Sequence, residues 1–263
     1  MVSLSIIGSG RIVEEHLKAA QKCNIKVRYI FSSRPNSLNA VRLSQKYKIE
    51  NIRNFKEFMS LSIKAQSNFL IAGKISKNSF YLKECIKTKK KIFIEKPVFL
   101  KSKDFKKYLI SNNQIFVGFN RIFYKNIRTL KNLIKKTKNI TVNCICPELN
   151  KTRIISNSSH IISILIFLFN DLKLIYKQKK KKSIFLRYKL PNDNVVNLSF
   201  NYGAIANFKI EIFSQYFFIE LPSIEEIKIY NKLEKVNYKN NNIYKLKCKY
   251  SMSEYNFNSI KPG

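Results

Sequence analysis

Short apolar runs alternate with stretches of helical composition from residue 4 to residue 94, and this alternation constrains the fold more than any other property of the chain. The runs at 4–7, 26–31, 69–73 and 91–94 have the length and content of buried strands. Between them, residues 14–20, 38–47, 54–61 and 76–87 read as helices, with a short extended piece at 49–53. Strand, helix, strand in regular succession implies a parallel, doubly wound sheet. The first connection carries more information than the rest. Leu4-Ser5-Ile6-Ile7 runs into Gly8-Ser9-Gly10-Arg11-Ile12-Val13, which gives the order strand, glycine turn, helix N-terminus. Gly8 permits the tight turn, and Gly10 lets main chain approach a pyrophosphate seated on the free N–H groups that open the helix. Val13 occupies the third position of that fingerprint, where a small residue is usual.

The second strand ends in Ser32-Ser33-Arg34. An acid there would bind the ribose hydroxyls of NAD, whereas serine and arginine suit the extra phosphate of NADP. The same residues also fit a helix-capping serine beside a solvated arginine, and both readings stand at this point. The run at 91–94 ends abruptly in Glu95-Lys96-Pro97. A lysine at the carboxyl end of a strand in an open α/β sheet faces the crevice where such sheets bind ligands.

Past residue 119 the pattern changes. Residues 140–146, 183–190, 195–202, 205–214 and 216–221 are strand-like, residues 226–230 and 243–247 extend the set, and Pro191-Asn192-Asp193-Asn194 reads as a hairpin turn. One helix, 161–169, interrupts them with His160 at its head. The expected architecture is α/β, an N-terminal Rossmann dinucleotide-binding domain over 1–119 followed by a smaller α+β domain over 120–263 with an open, mainly antiparallel sheet. The Asn-, Lys- and Tyr-rich tail is expected to be poorly tied down.

A formal charge of +34 invites a nucleic-acid partner. Only nine of the fifty basic residues are arginine, and the lysines are spread along the chain, so no specific nucleic-acid surface is expected. The densest run, Lys177-Gln178-Lys179-Lys180-Lys181-Lys182, reads as a solvated loop. The longest apolar stretch, 161–169, is broken by Ser163 and falls far short of the ~20 residues of a membrane span. The N-terminus lacks the basic region of a signal peptide, so a cytoplasmic location without membrane contact is expected. Five scattered cysteines, with only Cys144 and Cys146 close together, indicate neither a disulfide framework nor a metal site.

Four strings, IIGSGRIVEEHL at the start, FIEKP at 93–97, VGFNRIFY at 117–124 and NSSHIISILIFLF at 157–169, resemble in order and spacing the Gfo/Idh/MocA oxidoreductases. Within that family the chain looks most like the enzymes of bacterial surface-polysaccharide pathways that act on sugars or nucleotide sugars. The resemblance implies catalytic roles for Lys96, beside the reacting hydroxyl, and for His160, as carrier of its proton. It implies cofactor contacts from Gly8, Gly10, Arg11, Ile12, Ser33, Arg34, Ala72, Gly73, Glu95 and Lys96, with NADP or NAD as cofactor and NADP favoured. Asn120, Arg121, Tyr124 and Asn157 are implied substrate contacts. The second sheet is implied to serve a homodimer or homotetramer. His16 is expected to belong to the surface or packing of the first helix. Val13 in the glycine turn and three further departures favour an alternative, a degenerate dinucleotide-binding regulatory or scaffold protein of the same fold. Ser156 and Ser163 stand where relatives have aspartates around the histidine, and Gly73-Lys74 stands where they have Thr-Pro.

Overall fold

Ile6, Ile30 and Leu70 are buried in one apolar cluster, and their strand neighbours Ile7, Phe31 and Ile71 in another. Successive strand residues point to opposite faces, so these strands are covered on both sides, which is why they read as continuous apolar runs. The computed structural model describes residues 2–99, 115–135, 137–150, 154–238 and 241–254. The chain divides into two units, 1–118 and 119–262.

In the first unit, β1 (Ser3–Ile7), β2 (Lys26–Phe31), β3 (Glu50–Ile52), β4 (Asn68–Ile71), β5 (Ile92–Ile94) and β6 (Ile115–Val117) form one sheet in the order β3-β2-β1-β4-β5-β6. All its pairings are parallel. This is the strand order of a dinucleotide-binding fold, with the order reversing beside β1. Helices α1 (Arg11–Lys22), α2 (Leu38–Tyr47), α3 (Phe55–Lys64) and α4 (Ile75–Ile86) connect the strands. α1 buries Val13, Leu17 and Ala20, the stripe that a 3.6-residue period places on one face. Val13 is fully enclosed in the cluster of Ile6, Ile30 and Leu70, so the sheet accommodates a branched side chain at that place. The Ser37 hydroxyl accepts the Ala40 N–H to open α2, and the Asn54 side chain accepts those of Lys56 and Glu57 to open α3.

The second unit contains α5 (Lys125–Ile134), α6 (Ser159–Phe169) and an eight-stranded sheet. Its strands are β7 (Thr141–Glu148), β8 (Lys173–Lys179), β9 (Ser183–Lys189), β10 (Val195–Tyr202), β11 (Lys209–Phe213), β12 (Phe218–Leu221), β13 (Glu226–Tyr238) and β14 (Asn241–Ser253), in the order β14-β13-β12-β11-β7-β10-β9-β8. Every pairing is antiparallel except β7 with β10. Ile127, Leu130 and Ile134 of α5 and Ile161, Ile164, Leu165 and Leu168 of α6 join Val142, Cys144, Cys146, Leu198, Ile210 and Ile212 in one core. One face of the sheet is thus covered, and strict alternation in β7 and β10 follows from it. The hairpin turn at Pro191-Asn192-Asp193 joins β9 to β10 as the sequence suggests.

Two expectations need correction. Residues 119–262 make the second unit the longer of the two rather than the smaller. The lysine run is not a loop: Lys177 and Lys179 belong to β8, and only Lys180, Lys181 and Lys182 turn into β9. β8 is the outer strand and exposed throughout, so it needs no apolar alternation, and its lysines suit an edge that must not pair with another chain. The parallel β7–β10 pair is the one exception in a sheet that is, as expected, mainly antiparallel. The tail beyond Glu254 lies outside the described residues.

Cys85, Cys144 and Cys146 are free and buried, and burial raises all three thiols, Cys146 to about 12. Among the described residues no three His, Cys, Asp or Glu side chains gather as a metal site would require, and no helix is long and apolar enough to cross a membrane.

Candidate functional site

A cavity of about 390 Å³ opens in the first unit at the carboxyl ends of β1, β2 and β4. Gly8, Ser9 and Gly10 form one wall, Ser32, Ser33, Arg34, Ser37 and Asn39 a second, and Ala72, Gly73 and Lys74 a third. Gly8 has φ +133°, and a side chain there would place its Cβ 2.3 Å from the Ala72 carbonyl oxygen. Glycine is thus required for the ends of β1 and β4 to approach each other. Gly10 differs. Its φ is ordinary, at −72°, and a Cβ would meet nothing within 4 Å. Gly10 begins α1 without a side-chain cap, so the helix presents its first N–H groups beside open space. That is the arrangement of an anion-binding helix N-terminus, and a pyrophosphate fits it.

Hydroxyls organise the wall made by β2 and α2. Ser9 Oγ lies 3.1 Å from Ser32 Oγ and 3.0 Å from Ser37 Oγ, and the Asn39 side-chain amide donates to the Ser9 carbonyl. Arg34 is exposed, with its main-chain N–H donating to Ser32 Oγ at 3.3 Å. Burial raises the Tyr81 phenol, opposed by a hydrogen bond with Ser33, so the Ser33 side chain is directed at Tyr81. Among the described residues no carboxylate lines the cavity.

Of the cofactor residues expected from sequence, Gly8, Gly10, Ser33, Arg34, Ala72 and Gly73 line this cavity. Arg11 and Ile12 lie on the exposed first turn of α1 and are not among its walls. Ser32, of the strand end that suits an extra phosphate, lines it too, and so do Ser9, Ser37, Asn39 and Lys74, which are not among the expected contacts. Ser37 could have been found, since a serine ahead of a helical stretch is a capping signal.

Glu95 and Lys96 follow β5 on the same carboxyl edge of the sheet, and the Lys96–Pro97 peptide is cis. Glu95 makes two bonds. One carboxylate oxygen lies 2.7 Å from His16 Nε2, and the other accepts the Lys96 main-chain N–H at 3.2 Å. His16 is therefore more than a surface or packing residue of α1, which the sequence alone could not reveal because its partner lies 79 positions away.

In the second unit His160 is the second residue of α6 and is buried. A π-helical turn, Ile154–Ser158, leads into it. Glu148, at the end of β7 and only 3% exposed, accepts hydrogen bonds from the Ser158 hydroxyl and, at 3.3 Å, from the Asn157 amide. Ser163 Oγ donates to the His160 carbonyl at 2.7 Å. Two of the four expected substrate residues thus have their polar groups engaged within the fold, Asn157 with Glu148 and Arg121 in an ion pair with the nearly buried Glu225. Tyr124 packs half-buried against the core of this unit, and Asn120 is exposed at the start of a 3₁₀ turn, Asn120–Phe123.

Comparison with known proteins agrees with this architecture. Residues 2–111 match the profile of the Gfo/Idh/MocA oxidoreductase family, described by its NAD-binding Rossmann fold. Among solved structures the chain resembles a dehydrogenase from Clostridium difficile, with 16% identity, a TM-score of 0.73 and coverage of 93% of this chain and 82% of that one. It resembles an NAD-binding oxidoreductase from Klebsiella pneumoniae at 12% identity and TM-score 0.74, covering 93% and 78% of the two chains. It also resembles an oxidoreductase from Agrobacterium radiobacter solved with NAD+, L-tartaric acid and magnesium, at 11% identity and TM-score 0.70, covering 93% and 79%. Identities this low speak for the fold. A search of curated protein sequences returned no significant match. With strand order, glycine turn and open helix N-terminus in agreement, NAD or NADP is the cofactor that suits the first unit and a small molecule the substrate class, and it is over residues 2–111 that the chain is similar to the Gfo/Idh/MocA oxidoreductase family.

Proposed function

We propose that the chain is an NAD(P)-dependent oxidoreductase acting on a hydroxyl or keto carbon of a sugar or nucleotide sugar. The observation that carries this reading is the open N-terminus of α1 above Gly10, in a cavity at the strand-order reversal of a parallel sheet. The bound dinucleotide supplies the hydride acceptor or donor. Gly10 and the first N–H groups of α1 hold its pyrophosphate. Arg34, with no carboxylate among the described residues of the cavity to oppose it, favours the additional phosphate of NADP. Lys96, on the carboxyl edge of the same sheet, stabilises negative charge on the substrate oxygen as hydride leaves carbon. His160 carries the hydroxyl proton, a task that suits imidazole near neutral pH. The half-exposed face of the second sheet supports a homodimer or homotetramer, which sedimentation at micromolar concentration tests.

Fluorescence titration with NADH and NADPH tests the first step. NADPH is expected to bind the more tightly, and Arg34→Ala is expected to abolish the preference; binding of neither nucleotide would sink the proposal. Lys96→Ala and His160→Ala are each expected to lower turnover by about 10²-fold or more with nucleotide affinity preserved. A second reading is favoured by one observation, the engagement of Asn157 with Glu148 and of Arg121 with Glu225: a dinucleotide-binding regulatory or scaffold protein. Tight nucleotide binding without turnover on any sugar or nucleotide sugar would select it.

A further inference from the structure

His16 lies well inside α1, the helix whose N-terminal turn begins at the dinucleotide cavity, yet its side chain reaches the end of β5. Its Nε2 is 2.7 Å from Glu95 Oε1, and the two side chains are 24% and 21% exposed. The ring stands edge-on to Phe93, with centroids 5.3 Å apart and an interplanar angle of 68°. Glu95 Oε2 accepts the main-chain N–H of Lys96. The carboxylate therefore bridges an imidazole on the cofactor helix and the peptide that carries the lysine.

An exposed ion pair would be worth little, typically below about 1 kcal/mol, and would need no special surroundings. This pair has them. A Cβ on Gly118 would stand 3.2 Å from each Glu95 carboxylate oxygen and 3.1 Å from the Phe93 ring. The end of β6 thus has no side chain where the carboxylate and the ring need the room. With one wall at Gly118, another at Phe93 and a hydrogen bond to His16, the Glu95 carboxylate has its orientation set from three sides. As a carboxylate it can only accept, so the shared hydrogen sits on Nε2 of the imidazole.

We infer that His16 is a positioning residue for Lys96, acting through Glu95. It fixes the carboxylate so that its second oxygen holds the Lys96 peptide, and α1 thereby links the seat of the dinucleotide to the lysine turn. The value of that link for turnover rests on the function proposed above; the link itself does not. Displacement of a reacting group by about 1 Å can lower a rate about 10²-fold, so the tie has consequences beyond the stability of one hydrogen bond.

The test uses the full chain and reads the link with and without turnover. The protein has two histidines, so ¹⁵N-imidazole spectra are assigned by loss of one set of signals in His160→Ala. The wild-type His16 ring is expected to hold a single Nε2–H form, and Glu95→Gln to change its signals. His16→Leu removes the donor, whereas His16→Gln retains an N–H of similar reach. Trace acetylation with acetic anhydride, read peptide by peptide in a mass spectrometer, is expected to show altered Lys96 reactivity in His16→Leu, recovery in His16→Gln, and no change at Lys18 or Lys87. With a turned-over substrate in hand, kcat is expected to fall about 10²-fold in His16→Leu at unchanged nucleotide KM, and to recover largely in His16→Gln. His16 signals indifferent to Glu95→Gln, unaltered Lys96 reactivity in His16→Leu, or equal impairment of the leucine and glutamine variants would each overturn the inference. If Lys96 reactivity shifts as expected while the wild type turns over no sugar, the positioning role stands and the proposed reaction falls.

Discussion

The turn that opens α1 and the turn that opens α6 carry the two halves of the proposed chemistry, and they are built by different means. The first is set by main chain: Gly8 at φ +133° lets two strand ends meet, the Gly8 N–H donates to the Phe31 carbonyl at 2.8 Å, and the helix starts with no side-chain cap. The second is set by side chains: a buried acid, Glu148, gathers Ser158 and Asn157 and so defines the π turn ahead of His160. A turn made of main chain leaves its N–H groups available to a ligand. A turn made of side chains uses its polar groups to hold itself, and its contribution to a site is then the geometry of the one residue it presents.

This difference predicts unequal responses to substitution. Gly8→Ala is expected to produce the largest effect, because a Cβ would meet main-chain atoms of Ala72 at 2.3 and 2.6 Å, where no side-chain rotation can relieve the contact. Together with a backbone conformation that alanine rarely adopts, the loss of stability should reach about 3 kcal/mol or more in urea unfolding. Gly10→Ala is the control, expected to lose no more than about 1 kcal/mol, the usual cost of alanine at a helix N-cap, since the space around its Cβ is open. Equal destabilisation by the two would break the contrast between a turn closed by Gly8 and one left open at Gly10.

Glu148→Ala comes next. It removes the acceptor shared by Ser158 and Asn157 and leaves a buried hydroxyl with one partner fewer, at a cost of about 2 kcal/mol. Glu148→Gln keeps an acceptor oxygen and should lose less than half as much. The ¹⁵N-imidazole signals of His160 are expected to shift in the alanine variant and those of His16 to stay in place. Unmoved His160 signals would show that the acid does not define the turn.

The same contrast explains which parts could be read from sequence. Main-chain-built features leave local signatures. The alternation over residues 4–94, the glycines at 8 and 10 and the Pro191-Asn192-Asp193 turn were all visible because each depends on residues close in sequence. Side-chain ties across the fold leave none. Nothing local distinguishes Glu148 at the end of an apolar strand from a solvated glutamate, nor pairs His16 with Glu95 or Arg121 with Glu225. β8 escaped for a different reason: an exposed edge strand has neither face in a core, so lysines replace the apolar alternation that marks a strand.

Glu14 supplies the smallest effect and limits how far the contrast extends, for it is a side-chain tie in the first unit. From α1 it accepts hydrogen bonds from Arg42 and Lys46 of α2, each at 2.7 Å. The hydrogen bond from Arg42, followed by that from Lys46, lowers its carboxyl from 4.5 to about 2. An acid whose folded value is depressed adds stability that is present in full above its unfolded value and is lost as pH falls through its folded one. The window here runs from about 4.5 down to about 2. Arg42 and Lys46 are half exposed, at 49% and 52%, so solvent screens the pair and its worth should not exceed about 1 kcal/mol. The stability difference between wild type and an Arg42→Gln, Lys46→Gln double variant should accordingly be small at pH 7 and shrink towards zero on acidification to pH 2. A difference comparable to that of Glu148→Ala, or one that grows on acidification, would place Glu14 among the ties that define a turn, whereas its position on the outer sides of α1 and α2 makes it a brace between two helices already fixed by their buried stripes.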